Sequence, residues 1–147
     1  MSLTGPYNPD NTFARILRGE IPAVTVWEDD HVLAFMDVFP QSEGHVLVIS
    51  RTSLARNLLE VEPEVLARLT AAVQRTARAV DRALSPDGIS IMQFNGAAGG
   101  QSVFHLHVHI IPRWTNRSLK EHGDGPMAGA AALRPLADRI AAALDPG

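Results

Sequence analysis

The chain has no cysteine among its 147 residues, which excludes disulfides and thiolate metal centres and fits a reducing compartment. Its basic residues are almost all arginine, with Lys120 the single lysine, and no block of like charge occurs. At a formal net charge of −3 it lacks the concentrated positive charge that phosphate-backbone binding needs, so nucleic acid is not the expected partner. No apolar stretch is long enough to span a bilayer, and residues 1–10 show no basic region followed by an apolar run. The expected location is cytoplasmic, with no membrane partner. Internal repeats and linkers are also missing. What remains is an ordinary globular composition, 46% hydrophobic and 20% charged, in a chain long enough for one domain with its own core.

Against that plain background one run stands out, Gln101-Ser102-Val103-Phe104-His105-Leu106-His107-Val108-His109-Ile110-Ile111-Pro112-Arg113. β-Branched and aromatic residues around the histidines favour a strand from about Val103 to Ile111, ended by Pro112, which has no N–H for the ladder. A strand sends successive side chains to opposite faces, so His105, His107 and His109 share one face while Leu106, Val108 and Ile110 share the other, as core. On a helix the same spacing would scatter the imidazoles by ~200° per pair. Upstream, Asn95-Gly96-Ala97-Ala98-Gly99-Gly100 is a glycine turn whose backbone N–H groups can converge on an anion. A single histidine on a strand is ordinarily incidental; three in strict alternation speak against that. Alternate histidines are also natural zinc ligands. The glycine turn, Gln101 and Ser102 favour a third reading, nucleophilic chemistry at phosphorus, because they supply donors suited to phosphate oxygens.

In chain order, residues 1–10 read as a flexible extended arm and 11–147 as a single domain with a C-terminal helix. Thr12 to Gly19 reads as a short helix, Val24–Trp27 and His31–Met36 as a hairpin, and His45–Ser50 as a buried strand. Leu54–Leu59 suggests a short helical segment. Apolar residues at Leu66, Leu69, Val73, Ala77, Val80 and Leu84 predict a long helix from Pro63 to Leu84, with Arg68, Arg75, Arg78 and Arg82 as a solvated face. Ile89–Phe94 precedes the glycine turn as a strand. Trp114–Ala128 reads as a surface loop, and Leu133, Leu136, Ile140 and Leu144 have helix spacing, with Pro135 near that helix's start or kinking it. His31 and His122 read as solvated. The fold class is therefore α+β with a largely antiparallel sheet.

The run Gly100-Gln101-Ser102-Val103-Phe104-His-x-His-x-His-Ile-Ile-Pro-Arg113 resembles the signature of the histidine-triad (HIT) family of nucleotide hydrolases and transferases, and the likeness spans roughly residues 11–113. The resemblance implies a five-stranded antiparallel sheet with helices packed on it, commonly as a homodimer. It implies cleavage of a nucleoside 5′-phosphoramidate or related nucleotide through a covalent nucleotidyl-histidine. The released nucleoside monophosphate would be AMP from a purine nucleotide substrate, with dinucleoside polyphosphates as the alternative, or a nucleotide- or partner-binding module with vestigial turnover.

In that likeness His107 matches the nucleophile, His109 the residue that shares a proton with the leaving group, and His105 and His45 the supporting histidines. Gln101 and Ser102 match phosphate contacts, and Asn95 stands beside the position of a nucleotide-binding asparagine, which here is Phe94. Asp37 matches a carboxylate that accepts from the ribose hydroxyls. Phe13, Ile16, Ile21, Phe35 and Val38 match apolar residues around the base. No cofactor and no metal is expected: Asn11, Ala14 and Ser53 stand where zinc-bearing bacterial relatives carry ligands. The tail also lacks the tryptophan-proline-proline-glycine ending of the purine phosphoramidase branch.

Overall fold

The two-residue period of strands decides which side chains meet. In the computed structural model of the chain, which describes residues 3–121 and 125–146, five strands form one antiparallel sheet. They are β1 (Thr25–Glu28), β2 (Val32–Met36), β3 (Val46–Ser50), β4 (Gly88–Met92) and β5 (His107–Arg113), in the order β1-β2-β3-β5-β4. Helices α1 (Thr12–Leu17), α2 (Pro63–Leu84) and α3 (Ala130–Ala142) complete the α+β architecture that the patterning predicts.

The sheet buries both faces at its centre, where every residue of β2 and β3 is buried. One parity, including Val32, Ala34, Met36, Val46, Val48 and Ile110, packs against Leu69, Val73 and Val80 of α2 and Leu133 and Ile140 of α3. Burying such a side chain contributes roughly 1.5–3 kcal/mol, so this larger cluster carries most of the stability. The other parity, Leu33, Phe35, Leu47 and Ile49, meets Phe13 of α1 in a smaller cluster. The register of β3 with β5 sets Leu47 opposite His109 and Ile49 opposite His107, so both imidazoles emerge on the smaller cluster's face. Val108 and Ile110 go to the larger core, joined by Leu106 from just before the strand.

Several local expectations are corrected. Residues 54–59 form turns rather than a helix, because side chains take the backbone donors a helix would use: Ser53 Oγ accepts from Ala55 N–H at 3.0 Å, Glu60 from Arg56 N–H at 2.6 Å, and Asn57 from Leu59 N–H at 3.0 Å. The histidine strand starts at His107, not Val103, since Leu106 N–H donates to the Ala55 carbonyl (3.0 Å) outside the ladder. A 3₁₀ turn occupies Ala97–Gly99. Helix α3 begins at Ala130, so Pro135 lies inside it, and its missing N–H leaves the Ala131 carbonyl without the usual partner. Two of the arginines on α2 are not simply solvated: Arg75 stacks over the Trp27 ring at 4.4 Å and donates to the Asp145 carbonyl, and Arg82 donates to the Ala143 carbonyl. His31 is exposed as expected, and His122 lies outside the described residues.

One glycine matters for the site. Gly44 holds φ +90°, and a Cβ there would collide with Leu84 and come within 3.3 Å of Pro112. The next residue is His45. Gly44→Ala combines left-handed strain with overpacking and should cost about 2–4 kcal/mol, read as a lower urea midpoint. A loss under about 0.5 kcal/mol, the range of an ordinary surface change, would contradict this account of the turn.

Candidate active site

His107 and His109 leave β5 on one face, with ring centroids 5.1 Å apart. His105 precedes the strand but is drawn to the same place by its ring bonds. Because a carbonyl only accepts, each imidazole's proton can be assigned from its partners. His107 Nδ1 lies 2.7 Å from the His105 carbonyl, so Nδ1 carries the proton and the lone pair of the neutral ring sits on Nε2. His105 Nε2 lies 3.0 Å from the Ser50 carbonyl and donates there, leaving its Nδ1 to accept from the Tyr7 hydroxyl at 2.7 Å.

A second chain fixes His109. Gln41 N–H donates to His45 Nδ1 at 3.1 Å, which puts the His45 proton on Nε2. That nitrogen lies 2.9 Å from His109 Nδ1 and 3.4 Å from Asp37 Oδ2. His109 Nδ1 therefore accepts, and its own N–H is on Nε2. The two neighbouring rings are thus set in opposite states, a lone pair on His107 Nε2 and a proton on His109 Nε2. All four histidines are buried, as is Asp37. Burial pushes His105 down to about 4, against the bond to Ser50 that favours its charged form, and nearby His107 lowers it further. It is neutral at pH 7, as its accepting Nδ1 requires.

His107, His109 and Asp37 open on a cavity of about 510 Å³. Thr12, Asp37, Ser102, His107 and His109 supply its polar part, and Phe13, Ile16, Ile21, Phe35 and Val38 are among its apolar walls. Every residue expected around the nucleoside is therefore brought to one cavity, of a size that suits a small ligand. Phe13 packs edge-on against His107 with centroids 4.9 Å apart, and against Phe35 at 5.4 Å, which limits rotation of the His107 ring. Phe94 lies tilted against His109 at 5.5 Å.

Gln101 and Asn95 are placed elsewhere than expected. Gln101 Oε1 accepts from Gly96 N–H at 2.8 Å, and its Nε2 donates to the Arg56 and Val103 carbonyls at 2.7 and 3.0 Å. Its amide thus clamps the glycine turn rather than facing the cavity. Asn95 Oδ1 accepts from Leu58 N–H at 3.0 Å and from Gln93 Nε2 at 2.9 Å, so it too braces a loop. Residues that motif reading passed over are Tyr7, Gln41 and Met127, the last on the cavity wall. Only Tyr7 carried a signal, as the single tyrosine of the chain.

Among the described residues, Asp37, His45 and His109 place ligand atoms within 4.8 Å of one another. A cation there would have to expel the proton from His45 Nε2 while Gln41 N–H still holds Nδ1, which an imidazole ligand does not favour. Two of the positions matched to zinc ligands are occupied structurally. Asn11 caps α1 by accepting from Ala14 N–H at 2.9 Å, and Ser53 donates to Glu62 at 2.7 Å.

A five-stranded antiparallel sheet that presents paired imidazoles over an apolar cavity defines a protein of the histidine-triad class. The HIT domain family model matches residues 18–116, and the chain belongs to the HIT family, a superfamily of nucleotide-binding proteins and hydrolases. It is 43% identical over 102 residues to Protein hit of Bacillus subtilis (strain 168), covering 69% of this chain and 70% of that one. It is 38% identical over 119 residues to Adenylylsulfatase HINT3 of Arabidopsis thaliana, covering 77% of this chain but only 60% of the plant protein. Among solved structures it resembles a Hit-like protein involved in cell-cycle regulation from Bartonella henselae, solved with an unknown ligand. The TM-score is 0.90 at 46% identity, over 95% of this chain and 100% of the other.

The depressed His105 has a consequence for stability. Its neutral form is favoured in the folded state, so its contribution is complete above the unfolded value near 6.5. As pH falls from there towards 4, the unfolded chain takes up the proton first and stability drops, by on the order of 3 kcal/mol. His105→Gln should flatten that part of the stability–pH curve relative to the parent. Parallel curves for the two proteins would contradict a neutral, buried His105.

Proposed function

We propose that this protein hydrolyses nucleoside 5′-phosphoramidates, or related compounds with a leaving group on a nucleoside 5′-phosphate, and releases a nucleoside monophosphate. AMP is the product from an adenosine substrate. The observation that carries this reading is the 2.7 Å bond from His107 Nδ1 to the His105 carbonyl, which keeps the ring's lone pair on Nε2.

In the first step His107 Nε2 attacks the α-phosphorus and the bond to the leaving group breaks. A departing amine takes its proton from Nε2 of an imidazolium His109, which is left as a neutral ring able to accept a proton there. In the second step water attacks the nucleotidyl-histidine, gives its proton to His109 and restores His107. Ser102, on the cavity wall, supplies a donor to the phosphate oxygens where charge builds. Phe13, Ile16, Ile21, Phe35 and Val38 enclose the base. Asp37 accepts from the ribose hydroxyls. Its Oδ1 already accepts from Phe39 N–H at 2.8 Å, but a carboxylate has lone pairs for more than one donor.

Two neighbouring substrate types fit the same steps. Dinucleoside polyphosphates offer a nucleotide leaving group, and the name of the plant relative points to adenylyl sulfate, a mixed anhydride. A binding module with vestigial turnover is the competing reading. The opposed tautomers of His107 and His109 favour catalysis, since binding alone does not need them. The homodimer implied by family resemblance and the cytoplasmic location expected from the sequence belong to the same proposal.

Kinetics separate the roles. His107→Ala should lower turnover of adenosine 5′-phosphoramidate by about 10³-fold or more. His109→Ala should slow the phosphoramidate far more than a sulfate anhydride, because sulfate leaves without a proton whereas an amine needs one. Near-normal turnover in His107→Ala would overturn the nucleophile assignment, and equal losses on both substrates would remove His109 as the proton donor.

A further inference from the structure

The proposed chemistry makes no use of residues 3–10, yet this segment is pinned to the domain at several points. Asn57 Nδ2 donates to the Leu3 carbonyl at 2.8 Å, Asn11 donates to the Asn8 carbonyl through Nδ2 at 2.8 Å, and Arg18 Nη1 donates to the Pro9 carbonyl at 2.6 Å. Between these pins Tyr7 is half-buried. Its hydroxyl reaches His105 Nδ1 at 2.7 Å, with the two rings edge-on and 5.8 Å apart.

We propose that Tyr7 is a positioning residue for the nucleophile: its hydroxyl holds the His105 ring in place, and through it the His105 carbonyl that aims His107. The inference rests on the reading of His107 as the attacking group.

His105 is 2% exposed, so water does not readily replace a lost partner at its ring. Its two ring nitrogens are satisfied together in only one way. Nε2–H donates to Ser50, and Nδ1 accepts from Tyr7. Without the hydroxyl, Nδ1 is a buried acceptor with its donor removed. Moving the proton to Nδ1 would then set the Nε2 lone pair against the Ser50 carbonyl oxygen. Either outcome loosens the ring from β3. The backbone of the same residue is committed too. Its carbonyl accepts from His107 Nδ1, and the next N–H, of Leu106, donates to Ala55. A shifted His105 carries its carbonyl with it, so His107 loses the acceptor that keeps its lone pair on Nε2. Tyr7 does not line the nucleotide cavity, so it should affect the attacking step and not nucleotide binding.

Tyr7→Phe removes the hydroxyl and keeps the ring. In the parent, nitrogen NMR of the histidines should show His105 protonated on Nε2 and His107 on Nδ1. In the variant, His105 should become a tautomer mixture. The single-turnover rate of nucleotidyl transfer from a phosphoramidate should fall about tenfold, within the ~10²-fold that a small misplacement can cost. Affinity for AMP should stay within about twofold, because uniform binding is untouched. Unchanged tautomers and rate in Tyr7→Phe, with His107→Ala inactive, would overturn the role of Tyr7 alone. Retained turnover in His107→Ala would overturn the reading beneath it, and this proposal with it. Should the variant fold poorly, the parent spectrum still decides: His105 protonated on Nδ1 contradicts the proposal.

Discussion

The site depends on one backbone acceptor. The His105 carbonyl, 2.7 Å from His107 Nδ1, decides which nitrogen of His107 bears the proton. A neutral imidazole has one lone pair available for attack, and an error of tautomer moves it to the wrong side of the ring. Other polar contacts in the site hold the residue that carries that carbonyl or set the neighbouring ring. Ser50 and Tyr7 hold the His105 ring, while Gln41, through His45, orients His109. Gln101 clamps the glycine turn at Gly96 and the segment around Arg56. Each of these bonds has at least one buried partner, for which a misplaced contact is costly and a satisfied one rigidifies.

The fold makes those bonds possible by keeping the two sheet faces apart. The larger core under α2 and α3 takes one parity of the central strands, which frees the other parity for the smaller cluster and the imidazoles. His107 is then backed by Ile49 across the sheet and flanked by Phe13. Burial beside this cluster favours the neutral form of His105, whose pKa is lowered to about 4. Apolar packing and chemistry are coupled here, since Phe13, Phe35 and Leu47 belong to the smaller cluster and also line the cavity.

Strand parity was legible from residue types alone. Alternation put His107 and His109 on one face and Val108 and Ile110 in the core, and the structure agrees. The helix of residues 63–84 follows equally from its period and its N-terminal proline. The cavity walls and Asp37 became candidates only through family resemblance, because Phe35 or Ile16 in isolation is indistinguishable from core. Three features could not be read. His105 leaves the strand because Leu106 N–H finds Ala55, a contact with a distant loop. Gln101 has the residue type of a phosphate contact but spends its amide on the scaffold. Tyr7 meets His105 across 98 positions of sequence, and no local pattern encodes such a pairing.

The central claim is that His107 Nε2 bonds to phosphorus, and chemistry at that atom can be seen directly. Mixing the protein with an α-phosphorus-labelled adenosine 5′-phosphoramidate and quenching in base within the first turnover should trap a labelled protein. The label should be acid-labile and map to His107, and the phosphorus should be on Nε2 by nitrogen–phosphorus NMR coupling. A label on another residue, phosphorus on Nδ1, or a burst of product with no labelled protein would contradict the account.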